Sequence, residues 1–200
     1  MPAAADRLPV SAAFVVAGGI VRNRAGILIR HLWELRRQSV DHVRFYLTGS
    51  NDDETPVVLE AERCTTFLSE PEDEPQLERP HYSSAHMGAL RNRWASVAVL
   101  LWPQLTHLWV VDSDVMPAPD VLERLLAADK PIVGALVDGC TPCEGWDAKE
   151  QQARRTGKER AHAGIFPATM LGGCYLIHRG VWDAGARWGL AGRAGHRSGA

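Results

Sequence analysis

Lysine is nearly absent from this chain: its 200 residues include three lysines beside nineteen arginines. The 22 basic side chains are outnumbered by 24 acidic ones, for a formal net charge of -2. That balance argues against a surface built to track a polyanion, because phosphate backbones are bound by an excess of positive charge. No nucleic-acid partner is expected. Cysteine is also scarce. Cys64, Cys140, Cys143 and Cys174 are too few to staple a chain of this length, which points to a reducing compartment and makes the cytoplasm the expected location. No apolar run approaches the length of about 18 residues that a membrane helix needs, so no transmembrane segment is expected. The stretch from Val10 to Val21 follows Arg7 as the apolar part of a signal peptide would. It lacks a basic cluster before it and a cleavage site after it, and reads as a buried strand.

What the chain does have is apolar residues, at 46% of the composition. That is enough for one sizeable core, and residues 1–200 read as a single domain. Short apolar runs alternate with amphipathic segments, the pattern of a mostly parallel sheet wrapped by helices. AFVVAGGIV is the first strand. AGILIRHLWELRRQ follows as a helix, with Leu28, Leu32 and Leu35 at helical spacing and Asn23 as its cap. VRFYLTG (43–49) is the second strand, and Thr55-Pro56 opens the next helix. The acid- and proline-rich stretch 69–80 reads as a surface loop. RNRWASVAVLLWPQL (91–105) reads as a helix buried nearly all round, THLWVVDSD as a strand, DVLERLLAAD as a helix, and PIVGALV (131–137) as another strand. GGCYLIH closes the sheet and GVWDAGARWG forms a short helix, while the polar, basic stretch 144–163 is expected to be mobile. The fold class is α/β.

Chemistry gathers where the strands end. In an open α/β sheet ligands bind beyond the carboxyl ends of the strands. LWVVDSD places Asp112 and Asp114 there, and residues i and i+2 of an extended chain project to one side. Two hard carboxylates at one point suit Mg²⁺ or Mn²⁺, and without a cation they repel. The same pair can instead simply solvate a strand end and cap a helix. The first strand leads into Arg22, Asn23 and Arg24, the arginines being suited to a pyrophosphate. The second leads into Asn51, Asp52 and Asp53, where the aspartates can accept from a base N–H or ribose hydroxyls. Arg91, Asn92 and Arg93 add anion donors near a helix N-terminus. Each of these alone fits a solvated turn or surface ion pair equally well.

The order RNRAGILIRHLWEL, FYLTGSNDDETPVVLE, RNRWASVAVLLW, HLWVVDSDVMPAPDVLERLL, KPIVGAL and GIFPATMLGGCYLIHRGVW resembles the nucleotide-diphosphosugar glycosyltransferases of the GT-A fold. The family-2-like and fungal mannan-polymerase-like members are nearest in pattern. The resemblance spans roughly residues 10 to 190, and its most specific element is the DxD motif between an apolar strand and a proline. It implies a GT-A, Rossmann-like sheet and transfer of a sugar from a UDP- or GDP-sugar to an acceptor hydroxyl on a saccharide or other molecule. It also implies a divalent metal, Mn²⁺ or Mg²⁺, on Asp112 and Asp114. Arg22, Asn23, Asp52, Asp53, Asn92 and Asp112 would then bind the nucleotide sugar, while Gly172, Gly173 and Cys174 would line the acceptor side. Residues 10–137 would form the donor half and 138–200 the acceptor-side half.

The pattern departs at the end. Such enzymes carry an acidic pair shortly after the GG segment, to take the acceptor's proton, and a late metal-binding histidine. Here Asp183, Glu144 and Asp147 are the candidates for the base and His196 for the ligand, so a missing or replaced C-terminal part is expected. Two other classes compete: a nucleotidyltransferase, for which VRNRAG is a poor glycine-rich loop, and a noncatalytic nucleotide-sugar binder. Cys140-Thr141-Pro142-Cys143 has redox-motif spacing, but it follows four strands rather than opening a small fold, and no second Cys/His pair makes it a zinc site.

Overall fold

The computed structural model describes residues 13–68, 84–135 and 173–189. Among the described residues six strands form one sheet in the order β3-β2-β1-β4-β6-β5. They are β1 (Val15–Val21), β2 (His42–Thr48), β3 (Thr65–Leu68), β4 (His107–Val111), β5 (Ile132–Gly134) and β6 (Cys174–His178). The pairs β1/β2, β1/β4 and β2/β3 are parallel, and β6 runs antiparallel to both β4 and β5. The sheet is therefore mostly parallel with one reversed strand, an α/β architecture as expected. The helices are α1 (Ala25–Arg36), α2 (Thr55–Ala61), α3 (Ser84–Leu101), α4 (Val121–Ala127) and α5 (Arg179–Asp183).

The strands read as continuous apolar runs because both of their faces are covered. Val15, Ala17, Tyr46, Trp109, Val111 and Leu176 face one core, closed by Leu28, Leu32 and Leu35 of α1, Leu59 of α2 and Leu122 of α4. Their neighbours Val16, Phe45, Leu47, Leu108, Val110 and Ile177 face the other, closed by Leu90, Trp94, Ala95 and Ala98 of α3 and Trp182 of α5. The period-two alternation thus loads both faces. Trp94 can be fully buried because its indole N–H donates to the Phe45 carbonyl at 3.0 Å, so no polar atom is stranded.

Several local expectations change. The third helix starts at Ser84 and ends at Leu101, and Leu100 and Leu101 are exposed, so only one of its faces is buried. Helix α1 is capped at Arg24, not Asn23, and Thr55 is the first residue of α2 rather than its cap. β3 was not legible in the sequence. It is an edge strand exposed at all four positions, so burial left no pattern there. Among the described residues no helix is long and apolar enough to cross a membrane.

Gly18 shows how closely β1 and β2 approach. It has a φ of +139°, and a Cβ there would run into the carbonyl of Phe45, its partner on β2. At the adjacent Gly19 an added Cβ finds its nearest atom, the Val111 carbonyl oxygen, at an ordinary 3.5 Å. Gly18→Ala should cost about 3 kcal/mol or more and Gly19→Ala less than about 1 kcal/mol. Urea unfolding of the two variants checks this; equal losses would contradict it.

Candidate functional site

β4 ends at Val111, and the next four residues close a turn rather than extend the strand. The Asp112 amide donates to the Gly173 carbonyl at 2.7 Å, adding one rung to the β4/β6 ladder, and the Val115 amide donates back to Asp112 O at 2.9 Å. Asp112 and Asp114 therefore meet at one place through a turn, not through the same-side projection expected of an extended chain. Ser113 between them is buried, and Asp114 is exposed. The Asp112 carboxylate receives Nη2 of Arg91, on α3, at 3.0 and 3.2 Å. Gly173 is needed here, since an added Cβ would lie 2.8 Å from Oδ2 of Asp112 and 3.1 Å from a Val115 methyl.

A second set of bonds laces the β1–α1 loop to the β2–α2 loop. Asn23 adopts the left-handed conformation, with φ of 50°, which asparagine tolerates better than most residues. Its amide N–H donates to Asn51 Oδ1 at 2.8 Å, its Nδ2 donates to Asp52 Oδ2 at 3.2 Å, and its Oδ1 accepts from the Asp52 amide at 2.8 Å. The Arg24 amide donates to Thr55 Oγ1, and Asp53 accepts from the amides of both Ala25 and Thr55. Asn23, Asp52 and Asp53, expected on the nucleotide, thus bond to one another and to the backbone of the two loops.

These loops wall a cleft beyond the carboxyl ends of β1, β2 and β4. Ile20, Val21 and Arg22 line it from β1 and its loop, with Arg24 beside them; Thr48 and Gly49 line it from β2; Asp112, Ser113 and Asp114 form its floor. His86, Met87 and Leu90 of α3 close the far side. The cleft sits where the chain, having run from β1 through β2 to β3, crosses back to β4 on the other side of β1. That is the topological switch point, where open sheets hold their ligands. One wall is apolar, two arginines stand at its rim, and two carboxylates line its floor. Thr48, Met87 and Leu90 carried no sequence signal, because none belongs to a residue type that marks chemistry on its own, and His86 stood outside any motif.

Other expected residues lie elsewhere. Asn92 is committed to Trp188: its Nδ2 donates to the Trp188 carbonyl at 2.7 Å, and its Oδ1 accepts from the Trp188 amide at 2.9 Å. Arg93 lies over the Phe67 ring. Cys174 faces the core shared with α1 and α4 rather than an acceptor site, and burial pushes its thiol up to about 11. Asp183 sits at the opposite end of the sheet. β6 is antiparallel to β4, so His178 pairs with His107, and Asp183, just beyond it, is ion-paired with Arg179 at 2.7 Å. The four steps from His107 to Val111 separate that end from the cleft by about 13 Å, so Asp183 is not brought to the site. Glu144, Asp147, Gly172, His196, Cys140 and Cys143, and the stretches 69–80 and 144–163, lie outside the described residues.

Among solved structures, the chain is similar to glucosyl-3-phosphoglycerate synthase from Mycobacterium tuberculosis in complex with Mn²⁺, UDP-glucose and phosphoglyceric acid. The identity is 15% and the TM-score 0.52, with 86% of this chain and 60% of that one covered. It is also similar to S. aureus TarS, at 12% identity and a TM-score of 0.52, with 86% and 29% covered. The chain has a GT-A fold. It spans 60% of the length of the synthase. No family model matches the sequence, and no curated protein matches it. In this GT-A sheet the cleft and the Asp112–Val115 turn occupy the switch point, and the two laced loops form its rim.

The lacing gives the rim a pH dependence. The Asp53 carboxylate is held below its ordinary 3.8, first by its bond with the Thr55 side chain and then by the backbone amides of Ala25 and Thr55. A lowered folded pKa adds stability above the unfolded value and loses it as pH falls through the folded one. Asp53→Ala should therefore lower the melting temperature at pH 7, and the gap to the unmodified chain should close as pH falls below the ordinary carboxylate range. Thermal melts across that range check this; a gap that persists at low pH would contradict it.

Proposed function

We propose that this chain is a glycosyltransferase domain whose cleft binds a UDP- or GDP-sugar with a divalent cation and presents it to an acceptor hydroxyl. The observation that carries the reading is the turn at the switch point of a GT-A sheet, with Asp112 and Asp114 both lining one cleft. Support for the donor class comes from the synthase structure, which holds Mn²⁺ and UDP-glucose. In this reading residues 10–137 make the donor half and 138–200 the acceptor side.

The donor set fits Mg²⁺ or Mn²⁺. Asp112 and Asp114 offer hard carboxylate oxygens, and among the described residues no cluster of three His, Cys, Asp or Glu forms a closed protein cage. Two carboxylates with the remaining positions open suit a cation that completes its shell with water and diphosphate oxygens. When bound, such a cation neutralises the charge that develops on the departing diphosphate. The protein's own groups do the rest. Arg91 holds the Asp112 carboxylate in place through two contacts and limits repulsion between the two aspartates. Arg22 and Arg24 offer positive charge to the diphosphate at the rim, and the apolar wall of Ile20, Met87 and Leu90 takes a flat base. Thr48 and Gly49 supply the polar edge beside it. The acceptor's proton must go to a carboxylate beyond the sugar. With Asp183 at the other end of the sheet, Glu144 and Asp147 are the proposed bases and His196 the proposed further ligand.

A second reading, binding of the nucleotide sugar without transfer, is favoured by one observation. Among the described residues, the expected base Asp183 is held away from the cleft in an ion pair.

Calorimetry with UDP and GDP, with and without Mn²⁺, tests the donor site. Mn²⁺ should raise affinity for one nucleotide by about tenfold or more, and Asp114→Ala should remove that gain, about 1.4 kcal/mol. Its melting temperature should stay within about 2 °C, because Asp114 is exposed. Nucleotide affinity indifferent to both Mn²⁺ and Asp114 would sink the reading.

A further inference from the structure

The Asp112–Val115 turn is also held from inside the core. His31 on α1 and Tyr46 on β2 are both 0% exposed. Nδ1 of His31 lies 2.7 Å from the Val115 carbonyl oxygen, and Nε2 lies 2.8 Å from the Tyr46 hydroxyl. A carbonyl can only accept, so Nδ1 carries the proton, Nε2 accepts, and the Tyr46 hydroxyl donates to it. Burial lowers the His31 pKa from its ordinary 6.5, in keeping with a neutral ring. Val115 is thus tied on both sides: its N–H closes the turn on Asp112, and its carbonyl takes the imidazole. Position 31 lies on the buried face of α1 with Leu28, Leu32 and Leu35, where a leucine would fill space without polar atoms to satisfy. A buried imidazole there must pair two nitrogens, and both pairs are made.

We infer that His31 is a positioning residue: it fixes the conformation of the turn that carries Asp112 and Asp114, and Tyr46 fixes His31. The consequence for nucleotide binding rests on the glycosyltransferase reading above, whereas the effect on the turn does not. Removing the imidazole strands the Val115 carbonyl and frees the end of the turn, so the two carboxylates lose their common orientation while the rest of the sheet keeps its packing. An asparagine at 31 places an amide N–H close to where Nδ1 sits and preserves the bond to Val115.

Hydrogen exchange and calorimetry on the full chain test this together. In His31→Leu the Val115 amide should exchange about tenfold faster or more while Ala95 and Ala98 on α3 keep their rates. UDP and GDP affinities without Mn²⁺ should stay within about twofold, and the gain from Mn²⁺ should fall about fivefold or more. His31→Asn should recover most of both losses. A merely structural histidine would speed exchange throughout the sheet, weaken binding equally with and without Mn²⁺, and gain nothing from asparagine; that pattern overturns the inference. If His31→Leu does not fold, Tyr46→Phe replaces it. The Nε2 ¹⁵N shift should then move as its bond from the Tyr46 hydroxyl is lost, and Val115 exchange should rise; an unchanged shift and unchanged exchange overturn the inference. If the unmodified chain gains no affinity from Mn²⁺, the glycosyltransferase reading falls, and the Val115 exchange rate still decides the role of His31.

Discussion

Two carboxylates on one four-residue turn repel each other, and the surrounding structure answers that constraint. Arg91 meets one of the charges directly, and water meets the other, since Asp114 is exposed. Arg91 is placed by α3, which is pinned to the sheet through Trp94 and the Phe45 carbonyl and to the 188 region through Asn92. The neutral His31 holds the turn from beneath without adding a third charge. Gly173 lets β6 come close enough to take the Asp112 amide.

Much of the fold was legible because its physics is local. β1, β2, β4 and β6 are buried on both faces and so appear as unbroken apolar runs, and α1 shows its buried face at 28, 32 and 35. β3 was invisible for the opposite reason, being an exposed edge. The site was legible in part. Asp112 and Asp114 stood out because two acids cannot end a buried strand without consequence. Asn23, Asp52, Asp53 and Asn92 were picked out by residue type, but the types that bind a nucleotide also lace loops and clamp backbone, and each of the four makes such bonds. Asp183 was misplaced because the direction of β6 is a property of the sheet and not of the sequence around it. Thr48, Met87 and Leu90 acquire meaning only by meeting at one cleft.

The two kinds of contact divide the work of the cleft. Hydrogen bonds between the β1–α1 and β2–α2 loops shape its rim, and the turn after β4 supplies its charge. The rim residues bond largely to one another, and Thr48 joins them by accepting from Asn51. In the proposed reading a cation at the floor would share the Asp112 carboxylate with Arg91 and take its second ligand from the exposed Asp114. In the proposed reading a chain with little net charge would still suit an anionic ligand, because Arg22 and Arg24 both line the cleft.

The central claim is that Asp112 and Asp114 act together on one cation. The most direct measurement is anomalous diffraction at the manganese edge from crystals of this chain grown with Mn²⁺ and UDP or GDP. A single strong peak bonded to both carboxylates and to diphosphate oxygen is the predicted result. A peak elsewhere on the chain, or a bound nucleotide with no metal between it and the turn, would contradict it.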